Sequence, residues 1–454
     1  MVKPSLKTTS FKQHPVYVQK ALHVDGPFYG PKLQYQRAEI IPGGDCQAVT
    51  GIFHEQTDGQ LDVALQINGG RSGVVGDHAI RLTQTVAACN RAVYLRIVDA
   101  SSNRFSIDLS WTKYVGMWVR VETSKKFVPA DLAFYIFTKE GNYLYANRAM
   151  HIPFFETEYT DAGSNVWRYI ELELARFTRA AGYESDNLSE VWGIGWYSEA
   201  GTDGDHVDID RIEFYTHGTT KGPARGLIES APLLDDTHAE RGYGLRWDVN
   251  SGRLDHSNVG DFAFAGICVG NPSRTRLSQD VTGGTDTILH VVDASLLRPG
   301  KVTINDDSVA MEAKTILAVD SRTITLETAP TGSFTVANNA YVCMEGNEEG
   351  TIRVDFIVDG VVNLEAAQAI TRSYGCICAA LGNAPLTVNQ AARGENGLMI
   401  GKAVMAATAD DEHFPVKLMT DSDVTPRGSA ELFGKFFVNQ GSADLLGKTN
   451  INHP

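Results

Sequence analysis

Short runs rich in Val, Ile, Tyr and Phe recur along the chain. Most are four to eight residues long and are set apart by Gly, Asp, Asn and Ser. Sustained 3.6-residue periodicity is nearly absent, so the chain can bury its apolar side chains only by pairing strands into sheets. The clearest runs are Arg91–Val98, Gly116–Glu122, Leu132–Phe137, Trp167–Leu172, Val207–Tyr215 and Thr323–Leu326. Two short segments, Leu174–Ala181 and Leu364–Ile370, fit a helix instead. No heptad run is present, which excludes a coiled-coil fibre. With 43% hydrophobic and 21% charged residues the chain is of globular type, and its 454 residues suggest two to four domains. The expected class is all-β.

Composition shifts divide the chain. Residues 1–45 carry Pro4, Pro15, Pro27, Pro31 and Pro42 and read as an extended arm. Residues 46–217 read as one β-sandwich, and 218–240, which contain KGPARGLIESAPLLDD, as a linker. Beyond it, Arg241-Gly-Tyr-Gly244 and Arg372-Ser-Tyr-Gly375 form a weak internal repeat. They flag a second β domain made of 241–271 plus 347–430. Residues 272–346 read as a small β domain inserted in one of its loops, where insertions are tolerated. Residues 431–454 are left as a tail.

The net charge is −15, which argues against general nucleic-acid binding, because neutralising phosphates takes clustered Lys and Arg. The charge is uneven. Six basic residues against two acidic ones in the first forty give +4 there and leave −19 on the remainder, so the arm can lie across an acidic neighbouring surface. The longest apolar stretch, Phe262–Val269, is too short to span a bilayer, and no membrane partner is expected. The first residues lack the apolar region of a secretory signal. The six cysteines contain no CxxC pair and read as buried thiols.

Three features then point to a fold family. They are the W-x-x-I-x-L run at Trp167–Leu172, the V-x-G-I-G run at Val191–Gly195 and the D-I-D-R-I-E-F run at Asp208–Phe214. Together with Phe105–Leu109 and Lys113–Val121 they resemble the galactose-binding-like jelly roll shared by many carbohydrate-binding modules. The resemblance spans about 170 residues and implies a glycan-binding sandwich. Trp192, Trp196 and Tyr197 are the sugar-platform candidates, since sugars stack on aromatic faces. Trp192 and Trp196 share a strand face with Ile194 between them, and Ile194 there argues instead for core packing. The acidic loop and strand at Asp203, Asp205, Asp208 and Asp210 offer closely spaced carboxylates of the kind calcium prefers. The resemblance implies a structural calcium near the last strand. A solvated turn followed by a polar strand face is the alternative.

The C-terminal half resembles phage head decoration and head-fibre domains. The resemblance rests on Tyr374-Gly375, Gly382-Asn383, Ala391-Ala392, Asn396-Gly397, Ile400-Gly401, Ala403-Val404, Ala406-Ala407 and Val416–Leu418. The segment Val292–Val302 also looks like parts of phage neck, tail and baseplate proteins. These likenesses imply a structural virion component that docks on the major capsid protein or other virion proteins. Such a component is commonly a trimer and has many copies, which turn weak glycan contacts into avidity. A tail or baseplate adhesin is the alternative, and a carbohydrate-active enzyme or its accessory module a second one. No HExxH or GxSxG motif occurs. Gly441–Thr449 has one residue too many between its glycines for a phosphate loop, so no catalytic residue is assigned. No cofactor beyond calcium is expected.

Overall fold

The computed structural model describes residues 34–35, 38–55, 60–66, 70–71, 78–87, 91–99, 101–122, 132–140, 150–154, 166–182, 188–198, 201–248, 250–257, 264–270, 274–295, 297–306, 311–372, 375–378, 386–390 and 399–418. The expected arm up to residue 33, the expected tail 431–454 and the Gly441–Thr449 segment lie outside these residues. So do Tyr374, Gly382-Asn383, Ala391-Ala392 and Asn396-Gly397.

The protein is all-β, built from sheets that are antiparallel except where Arg353–Ala366 pairs in parallel with Thr387–Gln390. Two six-stranded sheets face each other over residues 38–215. The back sheet runs Trp167–Glu173, Tyr114–Arg120, His206–Tyr215, Ala79–Gln84, Leu61–Gln66, with Ala38–Ile40 added to His206–Tyr215. The front sheet runs Thr178–Arg179, Met150–Pro153, Leu132–Phe137, Gly193–Ser198, Arg91–Arg96, Phe53–Glu55. Alternation along each strand sends one set of side chains between the sheets. Val115, Met117, Val119, Val207 and Ile209 come from the back, and Val93, Leu95, Phe134, Ile136, Ile194 and Trp196 from the front.

A ten-stranded sheet follows. Five of its strands close on themselves: Arg353–Ala366, Thr387–Gln390, Gly375–Cys378, Met399–Ala403, His413–Leu418 and back to Arg353–Ala366. This small barrel surrounds Val362, Leu364, Val388, Ile400, Phe414 and Val416. Residues 274–344 form another six-stranded sheet, whose two end strands are joined by a bridge from Leu277 to Val291. Its interior residues Leu289, Val302, Ile304 and Phe334 belong to one apolar cluster with Leu245, Leu254, Val354 and Phe356 of the ten-stranded sheet. The two therefore share a core.

Several segments differ from their sequence reading. Within 218–240, Arg225–Pro232 is no linker: it pairs with Arg353–Ala366 and buries Ile228 and Ala231. Its Gly, Pro and charged residues mask that pairing, which long-range backbone hydrogen bonds enforce. The end of the expected arm is also woven in, Gln34–Tyr35 beside Arg225–Pro232 and Ala38–Ile40 beside His206–Tyr215. Neither helix forms. Leu174–Arg176 is a single 3-10 turn leading to Thr178–Arg179, and Leu364 sits inside the barrel on the strand Arg353–Ala366. Among the described residues no helix is long and apolar enough to cross a membrane. Cys46, Cys268, Cys343 and Cys376 are buried free thiols.

Candidate functional site

The outer face of the front sheet is aromatic. On Leu132–Phe137 the residues between the core positions are Ala133, Tyr135 and Phe137, and on Arg91–Arg96 they are Ala92 and Tyr94. Register aligns them into a row across five adjacent strands: His54, Tyr94, Gly195, Tyr135, His151. At about 4.8 Å per strand the row spans roughly 19 Å. The glycines of the G-I-G run explain how flat rings fit here. A Cβ on Gly195 would stand 2.3 Å from the Tyr135 ring, and one on Gly193 would stand 2.1 Å from Phe137. Each ring therefore lies across the glycine of the neighbouring strand. His54 stacks on Tyr94 at 5.6 Å between centroids and 20° between planes, and the Arg96 guanidinium sits 5.0 Å above the same ring. Arg96 Nη2 also donates to the Tyr94 hydroxyl at 2.9 Å. Burial lowers the His54 pKa, assisted by Arg96 and Arg104, which favours a neutral imidazole. Tyr135 and Phe137 are closed to solvent, whereas Trp192, Tyr197, His54 and Arg96 are half-buried and form the open part of the face.

The structure separates the three expected platform residues. Trp196 is fully buried in the sandwich core, with its ring 5.6 Å from Phe134 and 6.2 Å from Phe154. It is no glycan platform. Trp192 and Tyr197 pack instead against the outer aromatic cluster. The expected shared face of Trp192 and Trp196 fails because Val191 and Ile194, three apart, both reach the core. Alternation slips by one residue between them, and Trp192 goes to the other side.

The four aspartates do not converge. Asp208, buried between two strands, is held by Arg81 Nε at 2.6 Å and Arg120 Nη2 at 2.8 Å. These two guanidinium groups supply the positive charge that calcium was expected to bring. Asp205 accepts from the Thr202 amide and closes the turn, while Asp203 is exposed. Asp210 is fully buried. Its Oδ2 accepts from the Arg71 amide at 2.8 Å, and its Oδ1 has no partner among the described residues. Burial raises its pKa to about 7, against the opposing Arg71 amide and Arg211. Among the described residues no group of three or more His, Cys, Asp or Glu side chains could hold a metal ion.

Sequence reasoning missed the polar seam behind the back sheet. The outer face of that sheet carries Trp118, Trp167, Tyr169 and Tyr215. A bulge after Asp210, with Arg211 at φ 51°, turns Glu213 towards the same side. Residues from beyond 217 meet this face through buried charges. Arg241 grips Glu171 with two bonds of 2.6 and 2.5 Å, donates to the carbonyls of Gly218 and Thr219, and lies 3.9 Å over Tyr114. Arg225 reaches Glu213, which also accepts from the Tyr169 hydroxyl. Arg71 bonds Glu412 at 2.7 Å and the His413 carbonyl, and the Tyr169 amide donates to His413 Nδ1. The Arg of the first R-x-Y-G motif is thus a seam residue. Its hydrogen-bond partners stand up to 70 positions away, and no local pattern announces them.

No family model and no curated relative matches the chain. Among solved structures it is similar to a family 11 carbohydrate-binding module of Clostridium thermocellum in complex with a β-1,3-1,4-mixed-linked tetrasaccharide. That match has 14% identity and a TM-score of 0.28 and covers 40% of this chain and 97% of that one. It is also similar to a family 30 carbohydrate-binding module, with 13% identity and a TM-score of 0.28, over 37% of this chain and 92% of that one. A third match is the enzymatically active domain of tailspike protein 4 of bacteriophage CBA120. It has 13% identity and a TM-score of 0.23 and covers 39% of this chain and 21% of that one.

Proposed function

We propose that this chain is a non-enzymatic structural component of a bacteriophage virion whose sandwich offers a glycan-binding face. The observation that carries the glycan part is the outer aromatic row of the front sheet. Trp192 and Tyr197 are open at its margin, with His54 and Arg96 beside them as hydrogen-bonding groups. Aromatic faces take the C–H side of a sugar and polar neighbours fix its orientation. The virion part is supported by the sequence likeness over about 242–420. Docking falls to the chain beyond the sandwich or to the basic arm, and assembly into a homo-oligomer multiplies weak glycan contacts.

The test is a glycan array probed with the full chain, followed by titration of any glycan it retains. Trp192→Ala and Tyr197→Ala are each expected to weaken binding about tenfold, equivalent to ~1.4 kcal/mol, while both variants still unfold in one cooperative transition above the assay temperature. No retained glycan, or binding indifferent to both substitutions, refutes the face. Electron microscopy after mixing the chain with phage heads lacking it tests the docking. Regular occupancy of capsid sites supports decoration, and absence of binding favours the tail or adhesin reading.

A further inference from the structure

A second recess lies away from the aromatic face. It is a cleft of about 210 Å³ between the hairpin Gly218–Pro223 and the barrel strand Arg353–Ala366, and its lining includes Lys221, Asn363, Glu365, Leu386 and Thr387. At ~30 Å³ per water this is roughly seven waters of space, suited to one sugar ring and too small for a chain of them.

The lining is polar in a particular way. Lys221 Nζ sits 2.7 Å from Glu365 Oε2, so the charges cancel and neither an anion nor a cation is favoured. Asn363 is 2% exposed. Its Nδ2 donates to the Lys221 carbonyl at 3.0 Å, and its Oδ1 has no partner among the described residues. This amide oxygen at the cleft wall is able to accept a hydroxyl from a ligand. Behind Glu365 stands His413. Its Nδ1 accepts from the Tyr169 amide, which leaves the proton on Nε2. That N–H lies 3.7 Å from Glu365 Oε2, beyond ordinary hydrogen-bond length among the described residues, yet close enough to favour the carboxylate's charged form. Burial pushes the His413 pKa down to about 3, so the ring stays neutral. His413 together with Lys221 keeps Glu365 well below the usual carboxylate range. Leu386, with Leu364 beside it, gives the cleft an apolar side for C–H groups.

We propose that this cleft binds a single neutral sugar ring, with Glu365 and Asn363 Oδ1 accepting from its hydroxyls and Lys221 donating to them. The site is independent of Trp192 and Tyr197, so the two proposals fail separately.

The experiment is calorimetric titration of the full chain with D-glucose, D-galactose, D-mannose, N-acetyl-D-glucosamine and L-rhamnose up to about 50 mM, with inorganic phosphate alongside. At least one sugar is expected to saturate. Glu365→Gln should weaken it about tenfold, and Trp192→Ala should leave it unchanged. Leu386→Trp fills the cleft and should abolish binding. If that variant melts early, Thr387→Phe at the half-exposed rim replaces it. Saturation by no sugar, saturation by phosphate alone, or sugar binding that survives the filled cleft overturns the proposal. So does sugar binding lost in Trp192→Ala.

Discussion

Replacing Arg241 by Met tests whether buried charge holds the sandwich to the β domain beyond it. Met keeps the length of the side chain and removes five donors. Arg241 is 5% exposed and makes two bonds to Glu171, two to backbone carbonyls and a stacking contact with Tyr114. Burial opposes its charge, but Glu171 outweighs that and raises its pKa further above the usual range. After the substitution Glu171 loses its guanidinium partner and retains the Tyr215 hydroxyl at 2.5 Å. Stranding one partner of a buried ion pair costs about 3–5 kcal/mol. Arg241→Met/Glu171→Gln removes the stranded charge as well and should recover about 1–3 kcal/mol of that loss. The assay is guanidinium unfolding read by tryptophan fluorescence, because Trp118 and Trp167 lie at the seam whereas Trp196 lies in the sandwich core. Amide exchange of the strand Trp167–Glu173 serves as the local readout. A single variant within about 0.5 kcal/mol of wild type, or a double variant no better than the single, would refute the reasoning.

Two further predictions use buried groups. Asp210, with a folded pKa near 7 against an ordinary 3.8, binds a proton in the folded state that the unfolded chain has released. Its contribution to stability therefore falls as pH rises from about 4 to about 7 and is constant above, by at most ~4 kcal/mol. His413 and His238, lowered to about 3 and about 4 by burial, act in the opposite sense over the same range, so the readout is a difference. Asp210→Asn should gain on wild type with rising pH in denaturant titrations, and parallel curves would sink the assignment. Gly195→Ala puts a methyl 2.3 Å from the Tyr135 ring, which is fully buried. About 1–3 kcal/mol of destabilisation and an altered near-UV dichroism spectrum are expected, and a silent substitution would mean that the ring does not lie across that strand.

The two aromatic faces show how far local sequence carries. The G-I-G run and the alternation in Leu132–Phe137 are legible as strands, and the structure places them side by side with Gly195 opposite Tyr135. Which face an aromatic joins was legible only where alternation is strict. At Trp192 it slips, because Val191 and Ile194 both enter the core, so a residue paired in sequence with Trp196 ends on the opposite side. The aspartates were misread for a related reason. Asp208 and Asp210 do share a strand face, but what meets them is decided by Arg81 and Arg120 on neighbouring strands and by Arg71.

Amino-acid order alone determined the β character, the more apolar strands of the sandwich such as Leu132–Phe137 and Trp167–Glu173, and the burial of four thiols, since period-two hydrophobicity is a local property. Tertiary structure alone decided the closing of the barrel, the pairing of Arg225–Pro232 with the strand Arg353–Ala366, the core shared by residues 274–344, and the ion pairs of the seam. The cleft at Lys221, Asn363 and Glu365 belongs with these. Its walls lie more than a hundred residues apart in the chain, and hydrogen bonds such as that from Asn363 to the Lys221 carbonyl form only once the strands have met. A pairing partner is chosen by the shape and charge of a surface that does not exist until folding makes it, so no window of sequence contains it.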